Sequence, residues 1–297
     1  MNQSYLKGAL LILAAGLCYA FQPIFAKVAY EDGANAIALM LLRFLLAACL
    51  LHLYVFRQRK RRLATELTRM NVVKILAVGM LVGIGAMCYF MSLERLSIGL
   101  ATLLFYLFPL YIFIFSVILR LEAMSLLKLT AVLLAIGGVY ISVDLNGELP
   151  VTGILLGLFA GAIYGIYIML NNHFLAHQDT LSSITWVSSG AFICFAIPSM
   201  AGQAVFPDSM QGYGAVLGLV FISTLLSLTL FLKGIRLIAR STDTSVLAMT
   251  EIGTTMLLAW LLLNEQASSR EIIGAVVIFV AALMILMTGR KRAAEVT

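Results

Sequence analysis

Charge is what this chain has least of. Only 11% of its 297 residues are Asp, Glu, Lys or Arg, against roughly 25% in soluble domains. With 62% hydrophobic residues and a mean hydropathy of +1.03, the chain cannot clothe itself in a polar surface, and a soluble fold is excluded. Histidine is scarce as well. Of the three present, only His52 falls in an apolar run, while His173 and His177 lie between runs. No carboxylate pair and no His-Glu-x-x-His pattern accompanies them, so an intramembrane hydrolase would have no nucleophile and base, and no catalytic residue is expected. The four cysteines, Cys18, Cys49, Cys88 and Cys194, sit singly inside apolar runs. Without Cys-x-x-Cys or Cys/His spacing they indicate neither a disulfide framework nor a metal site, and no cofactor is expected.

What the chain does have is long apolar runs. A helix needs about 20 apolar residues to cross the hydrocarbon of a bilayer, and the polar interruptions cut the chain into ten such spans. They are Lys7 to Ala29, Ala34 to Phe56, Val72 to Leu93, Ile98 to Leu119, Leu127 to Val143, Val151 to Leu170, Leu181 to Phe206, Tyr213 to Leu232, Thr242 to Leu263 and Ile272 to Met287. The first is too long, and too poor in basic leader residues, for a signal peptide.

The net charge of +6 does not point to nucleic acid, because the basic residues stand in short runs between the spans rather than along one solvated face. They act as topology signals. With the N-terminus inside, Arg57, Arg59, Lys60, Arg61, Arg62, Arg69 and Lys74 share one cytoplasmic connection, and Arg120, Lys128, Lys233, Arg236, Arg240 and the Arg290-Lys291-Arg292 tail are inside too. Only Lys27, Arg95 and Arg270 remain outside, among acids such as Glu31, Asp32, Asp144, Glu148 and Asp208. The expectation is a multi-pass protein of a bacterial inner membrane with both termini cytoplasmic. Its surroundings are the lipid bilayer and its work is done within it.

The spans repeat. Gly8-Ala-Leu-Leu, Gly16 and Tyr19 return at one constant offset as Gly153-Ile-Leu-Leu, Gly161 and Tyr164. Arg95-Leu96 returns as Arg236-Leu237, and Leu121-Glu122-Ala123 as Asn264-Glu265-Gln266. Two halves of five spans, residues 1–145 and 146–297, are expected, and an odd number of crossings forces them to enter the membrane in opposite directions. Such inverted repeats place a solute site near the midplane of secondary transporters.

The stretch from Tyr89-Phe90-Met91-Ser92-Leu93-Glu94-Arg95 through Leu107-Phe108-Pro109 to Leu121-Glu122 resembles the EamA repeat of the drug/metabolite transporter superfamily. Ser245 to Glu251 and Leu263-Asn264-Glu265 resemble its second copy, and Leu42-Arg43-Phe44 resembles a family pattern in the second span. The resemblance implies an all-α polytopic membrane protein of ten transmembrane helices. They form two inverted five-helix repeats around a central cavity lined by the first, third, fourth, sixth, eighth and ninth spans. It also implies secondary transport, as an exporter of a small metabolite such as an amino acid. The alternatives are a lipid or lipid-precursor flippase, or an uptake carrier for a nucleoside or vitamin.

Helical spacing nominates the solute-facing side chains. Thr102 and Tyr106 share a face of the fourth span and Tyr89 faces with Gly85 and Ser92 on the third. Tyr19 and Gln22 lie a turn apart on the first span, with Tyr164 at the matching level of the sixth and Tyr167 beyond it. Two full charges stand deep in the membrane, Arg43 and Glu251, each on the order of 13 to 15 Å from its nearer helix end at about 1.5 Å per residue. Arg43 is expected to be a structural charge. Glu251, with Thr254 and Thr255 a turn on, is expected either to hold a proton or a solute amine, with protons as a candidate coupling ion, or to be the counter-ion of Arg43. Glycine stripes at Gly153, Gly157, Gly161 and Gly165, and at Gly79 and Gly83, are expected to pack helices closely. Pro23 and Pro109 are expected to kink the first and fourth spans.

Overall fold

The structure, a computed structural model, describes residues 3–60, 68–120, 126–142, 150–170, 180–235, 237, 250–265 and 268–295. Among them every regular element is helical, and the chain forms ten helical spans. The first five are Gln3–Glu31, Ala36–Lys60, Arg69–Leu93, Ile98–Phe105 continued by Phe108–Ile118, and Leu126–Ser142. The second five are Val151–Leu170, Thr180–Met200, Met210–Val220 continued by Phe221–Leu226 and Ser227–Ile235, Thr250–Leu263, and Ser269–Glu295. Among the described residues seven spans are at least 18 residues long and apolar enough to cross a membrane.

Packing follows the repeat. The first span lies against the eighth and ninth, and the sixth lies against the third and fourth; the second pairs with the seventh and the fifth with the tenth. Exchanging each span for its counterpart five places on returns the same set of neighbours, as a two-fold relation between the halves requires. The halves interleave rather than abut. The fourth and ninth spans also end alike, each on a residue with positive φ, Arg120 at 58° and Asn264 at 53°.

Close approach rests on missing side chains. A Cβ on Gly161 would lie 2.9 Å from the Phe105 carbonyl oxygen and 3.0 Å from that of Leu104, and one on Gly157 would lie 2.9 Å from Leu104 Cβ. The glycine stripe of the sixth span therefore carries the fourth span at backbone distance, as small residues do in membranes. The third and seventh spans meet still more tightly at Gly79 and Gly190.

Several boundaries differ from the sequence reading. The seventh span ends at Met200 rather than Phe206, because Gly202 turns the chain at φ 76° and residues 203–207 run without helical structure. Pro109 breaks the fourth span outright: the helix stops at Phe105, and Pro109, with no N–H to donate and a ring that would strike the Phe105 carbonyl, stands in the first turn of a new segment. The first span continues as α-helix through Pro23. The eighth span contains a π-helical turn, Phe221–Leu226, that apolar patterning does not signal. Val143, Thr242, Ser245 to Met249, the Leu121-Glu122 step, His173 and His177 lie outside the described residues.

Candidate functional site

Beginning at the second span, Arg43 is 9% exposed. Its Nε–H donates to Thr224 Oγ1 at 3.0 Å and its Nη2 to Gln22 Oε1 at 2.9 Å. The guanidinium also lies 5.4 Å from the Phe44 ring centre and 5.8 Å from that of Phe90, within cation–π reach. Thr224 is available because the π-helical turn rotates it inward, and its own hydroxyl donates to the Leu219 carbonyl at 2.9 Å. The first, second and eighth spans are thus joined at one cation.

Opposite Arg43 is a wall of rings. Tyr89, 6% exposed, shares a hydrogen bond with Thr102 at 3.3 Å and packs at 4.9 Å against Phe105. Phe105 lies 4.9 Å from Tyr164, which in turn lies 5.1 Å from Phe108 and 5.7 Å from Tyr167. Such ring separations fit offset and edge-on contacts. The break before Pro109 is what aims Phe105, Tyr106 and Phe108 at this cluster. Tyr106 donates a hydrogen bond to the Glu251 carboxylate, and Tyr19 is hydrogen-bonded to Ser227. Both Tyr19 and Tyr89 are within electrostatic reach of Arg43 and of Glu251.

The structure therefore brings together Tyr19, Gln22, Tyr89, Thr102, Tyr106, Tyr164, Tyr167 and Glu251, with Arg43 at one edge. Tyr19, Gln22, Tyr164, Tyr167 and Glu251 are half-buried. Thr254 is half-buried one turn along the ninth span, whereas Thr255 is enclosed at 1% exposure. Arg43 and Glu251 are not an ion pair. Sequence reasoning missed Phe105, Phe108, Thr224 and Ser227; the last two were marked only by being hydroxyls in an apolar span. Two polar residues at the margins of the spans are engaged: His52 hydrogen-bonds Ser189 at 2.9 Å and meets Trp186 edge-on, and Lys27 donates to the Leu96 carbonyl at 2.9 Å.

At one end of the bundle the connections are tied to one another. Glu265 Oε1 accepts from the Ile98 N–H at 2.5 Å, at the start of the fourth span, and Ser97 donates to Glu271. Glu94 Oε1 accepts from the Ala36 N–H at 2.7 Å at the start of the second. Asp32 accepts from Ser209 Oγ at 2.6 Å and from its N–H at 2.9 Å. Gly33, at φ +85°, makes that turn, and a Cβ there would lie 2.7 Å from Asp208 Oδ2. Ser209, through its hydroxyl and then its N–H, holds the Asp32 carboxyl below its usual range. The Asp32 tie is therefore complete above the ordinary carboxylate range and fades as pH falls through the lowered value. Burial pushes Glu265 up, with Glu271 adding to the rise while the Ile98 N–H and Lys27 oppose it.

Residues 6–143 and 151–287 each match the EamA-like transporter family. The chain belongs to that family. It is 28% identical over 287 residues to the uncharacterized transporter YcbK of Bacillus subtilis (strain 168), covering 90% of this chain and 88% of that one. It is 24% identical over 297 residues to the uncharacterized inner membrane transporter YicL of Salmonella typhimurium, covering 97% of each. A solved crystal structure superposes with a TM-score of 0.61 over 96% of this chain and 98% of its own, at 16% identity; that likeness bears on the fold alone. This EamA-like protein is a multi-pass membrane transporter.

Proposed function

We propose that this EamA-like protein is a secondary transporter, working as an exporter, that carries a small amphipathic metabolite such as an amino acid by alternating access. The observation that carries the reading is the convergence of Tyr19, Gln22, Tyr89, Tyr106, Tyr164 and Glu251, drawn from spans of both repeats, on one aromatic-walled site deep in the bundle. A site built across two repeats changes shape when the repeats rock, which is what opening to either side in turn demands. The repeats divide at residues 1–145 and 146–297. The protein lies in a bacterial inner membrane with both termini cytoplasmic, a placement supported by the basic connections. Reporter fusions after Arg62 and after Arg292 will then be cytoplasmic and one after Asp144 external; the opposite result at any of them overturns the orientation.

In this reading the tied end is the external face, and its hydrogen bonds are the seal that must part for release. The bonds from Glu265 and Glu271 cross from the second repeat to the first, so they hold the repeats together on that side. Carboxylates on exposed helix N–H groups are worth roughly 1 to 2 kcal/mol each. Glu265→Ala will therefore shift the balance towards the externally open form by about 5- to 30-fold. The check is labelling of a cysteine placed at Tyr106, in protein with the four native cysteines replaced, by an impermeant thiol reagent added outside. Faster labelling is expected; an unchanged rate would show that Glu265 is no part of the seal.

A further inference from the structure

Two opposite charges border one cluster of rings without neutralising each other. Among the described residues Arg43 has only neutral partners, the Gln22 amide, the Thr224 hydroxyl and two ring faces. Among the same described residues Glu251 has only the Tyr106 hydroxyl. The ninth span, which carries Glu251, packs on the first and fourth spans, which carry Tyr19, Gln22 and Tyr106, and Tyr19 and Tyr89 lie within electrostatic reach of both charges, so both charges border the same ring cluster. Unpaired charges at membrane depth are expensive, and a protein keeps them where they have work to do. Their partners need not be protein.

Resting on the transporter reading above, we propose that the solute is a zwitterion whose carboxylate docks on Arg43 and whose ammonium docks on Glu251, with its apolar part against Phe105 and Tyr164. The guanidinium suits the first task. It has five N–H donors in a planar fork; Nε and Nη2 are held by Thr224 and Gln22, which fix its plane and leave Nη1 to face a carboxylate. The second end suits its task as well, because Tyr106 occupies the Glu251 carboxylate from one side and leaves acceptor capacity for an ammonium. A solute bearing one charge would satisfy one end and leave the other stranded, which makes the pair a filter and not merely an attractor.

The test is counterflow in proteoliposomes with a mixture of labelled neutral amino acids, nucleosides and vitamins, followed by competition with the methyl ester and the N-acetyl derivative of the amino acids carried. The ester keeps only the cation and the N-acetyl form only the anion. Each is expected to compete at least about tenfold more weakly than the parent amino acid. Arg43→Gln is expected to lose discrimination against the ester, and Glu251→Gln discrimination against the N-acetyl form, while Arg43→Lys retains part of it. Should either variant fail to insert, the wild-type competition decides alone. Equal competition by all three forms, or exchange of nucleosides or vitamins with no amino acid carried, overturns the zwitterion assignment and leaves the transporter reading standing. Exchange of no solute removes both.

Discussion

Glu251→Gln is expected to yield folded, membrane-inserted protein that has lost the pH dependence of transport, with solute flux down by about tenfold or more. The substitution keeps the shape of the side chain and its ability to accept the Tyr106 hydroxyl hydrogen bond, and it removes the charge. Because Arg43 donates its hydrogen bonds to Gln22 and Thr224, no buried cation is stranded by the change. The two roles open to Glu251 from sequence, a proton or amine site and a counter-ion, thus separate experimentally. A counter-ion role predicts a fall in yield that Arg43→Gln repairs, since breaking a buried pair is worse than removing it. The geometry predicts no such repair. Transport at the wild-type rate with an unchanged pH profile would take Glu251 out of the mechanism altogether.

Gly190→Leu will prevent the third and seventh spans from meeting. A Cβ on Gly190 would lie 2.3 Å from the Leu76 carbonyl oxygen and 2.9 Å from Gly79 Cα, and one on Gly79 would lie 2.3 Å from the Val187 carbonyl oxygen. The obstacles are backbone atoms in helices, which no rotamer change can move aside. Overpacking of this kind costs about 1 to 3 kcal/mol, and more where relief requires a whole helix to shift. Most of the detergent-soluble, monodisperse protein is expected to be lost. Gly253→Ala is the control, because among the described residues nothing lies within 4 Å of a Cβ there. Fluorescence-detected size exclusion with a thermal ramp reads both. A Gly190→Leu protein as stable as wild type would show that these spans do not pack at backbone distance.

The architecture was legible because it is written in features that a membrane makes obligatory. Apolar runs of bilayer length mark the spans, and the glycine stripes at Gly157 and Gly161 mark the faces that touch. Helical spacing was enough to nominate Thr102 with Tyr106 on the fourth span and Tyr89 with Ser92 on the third, and the deep position of Glu251 enough to single it out, because these follow from the period of one helix. What spacing could not supply is relations between helices. Arg43 and Glu251 lie at similar depth, and depth alone made them look like partners; only the packing shows each turned to neutral groups. Thr224 was hidden for another reason. Its inward aim comes from the extra residue of the π-helical turn at Phe221–Leu226, which displaces everything after it from the 3.6-residue pattern. Phe105 and Phe108 carried no signal of their own, because the helix stops at Phe105 and restarts at Phe108, so one helical period does not relate them. The end of the seventh span was overrun because residues 201–206 include Val205 and Phe206, apolar in sequence but committed to the connection that binds Asn35.

The most direct measurement of the central claim is exchange in proteoliposomes containing the purified protein, with labelled amino acids, nucleosides and vitamins inside or outside and a fluorescent phospholipid in the bilayer. Alternating access through the aromatic site predicts saturable counterflow of at least one small solute, lowered about tenfold or more by Glu251→Gln, with no acceleration of phospholipid exchange between leaflets. Phospholipid scrambling in the absence of any solute counterflow would contradict it.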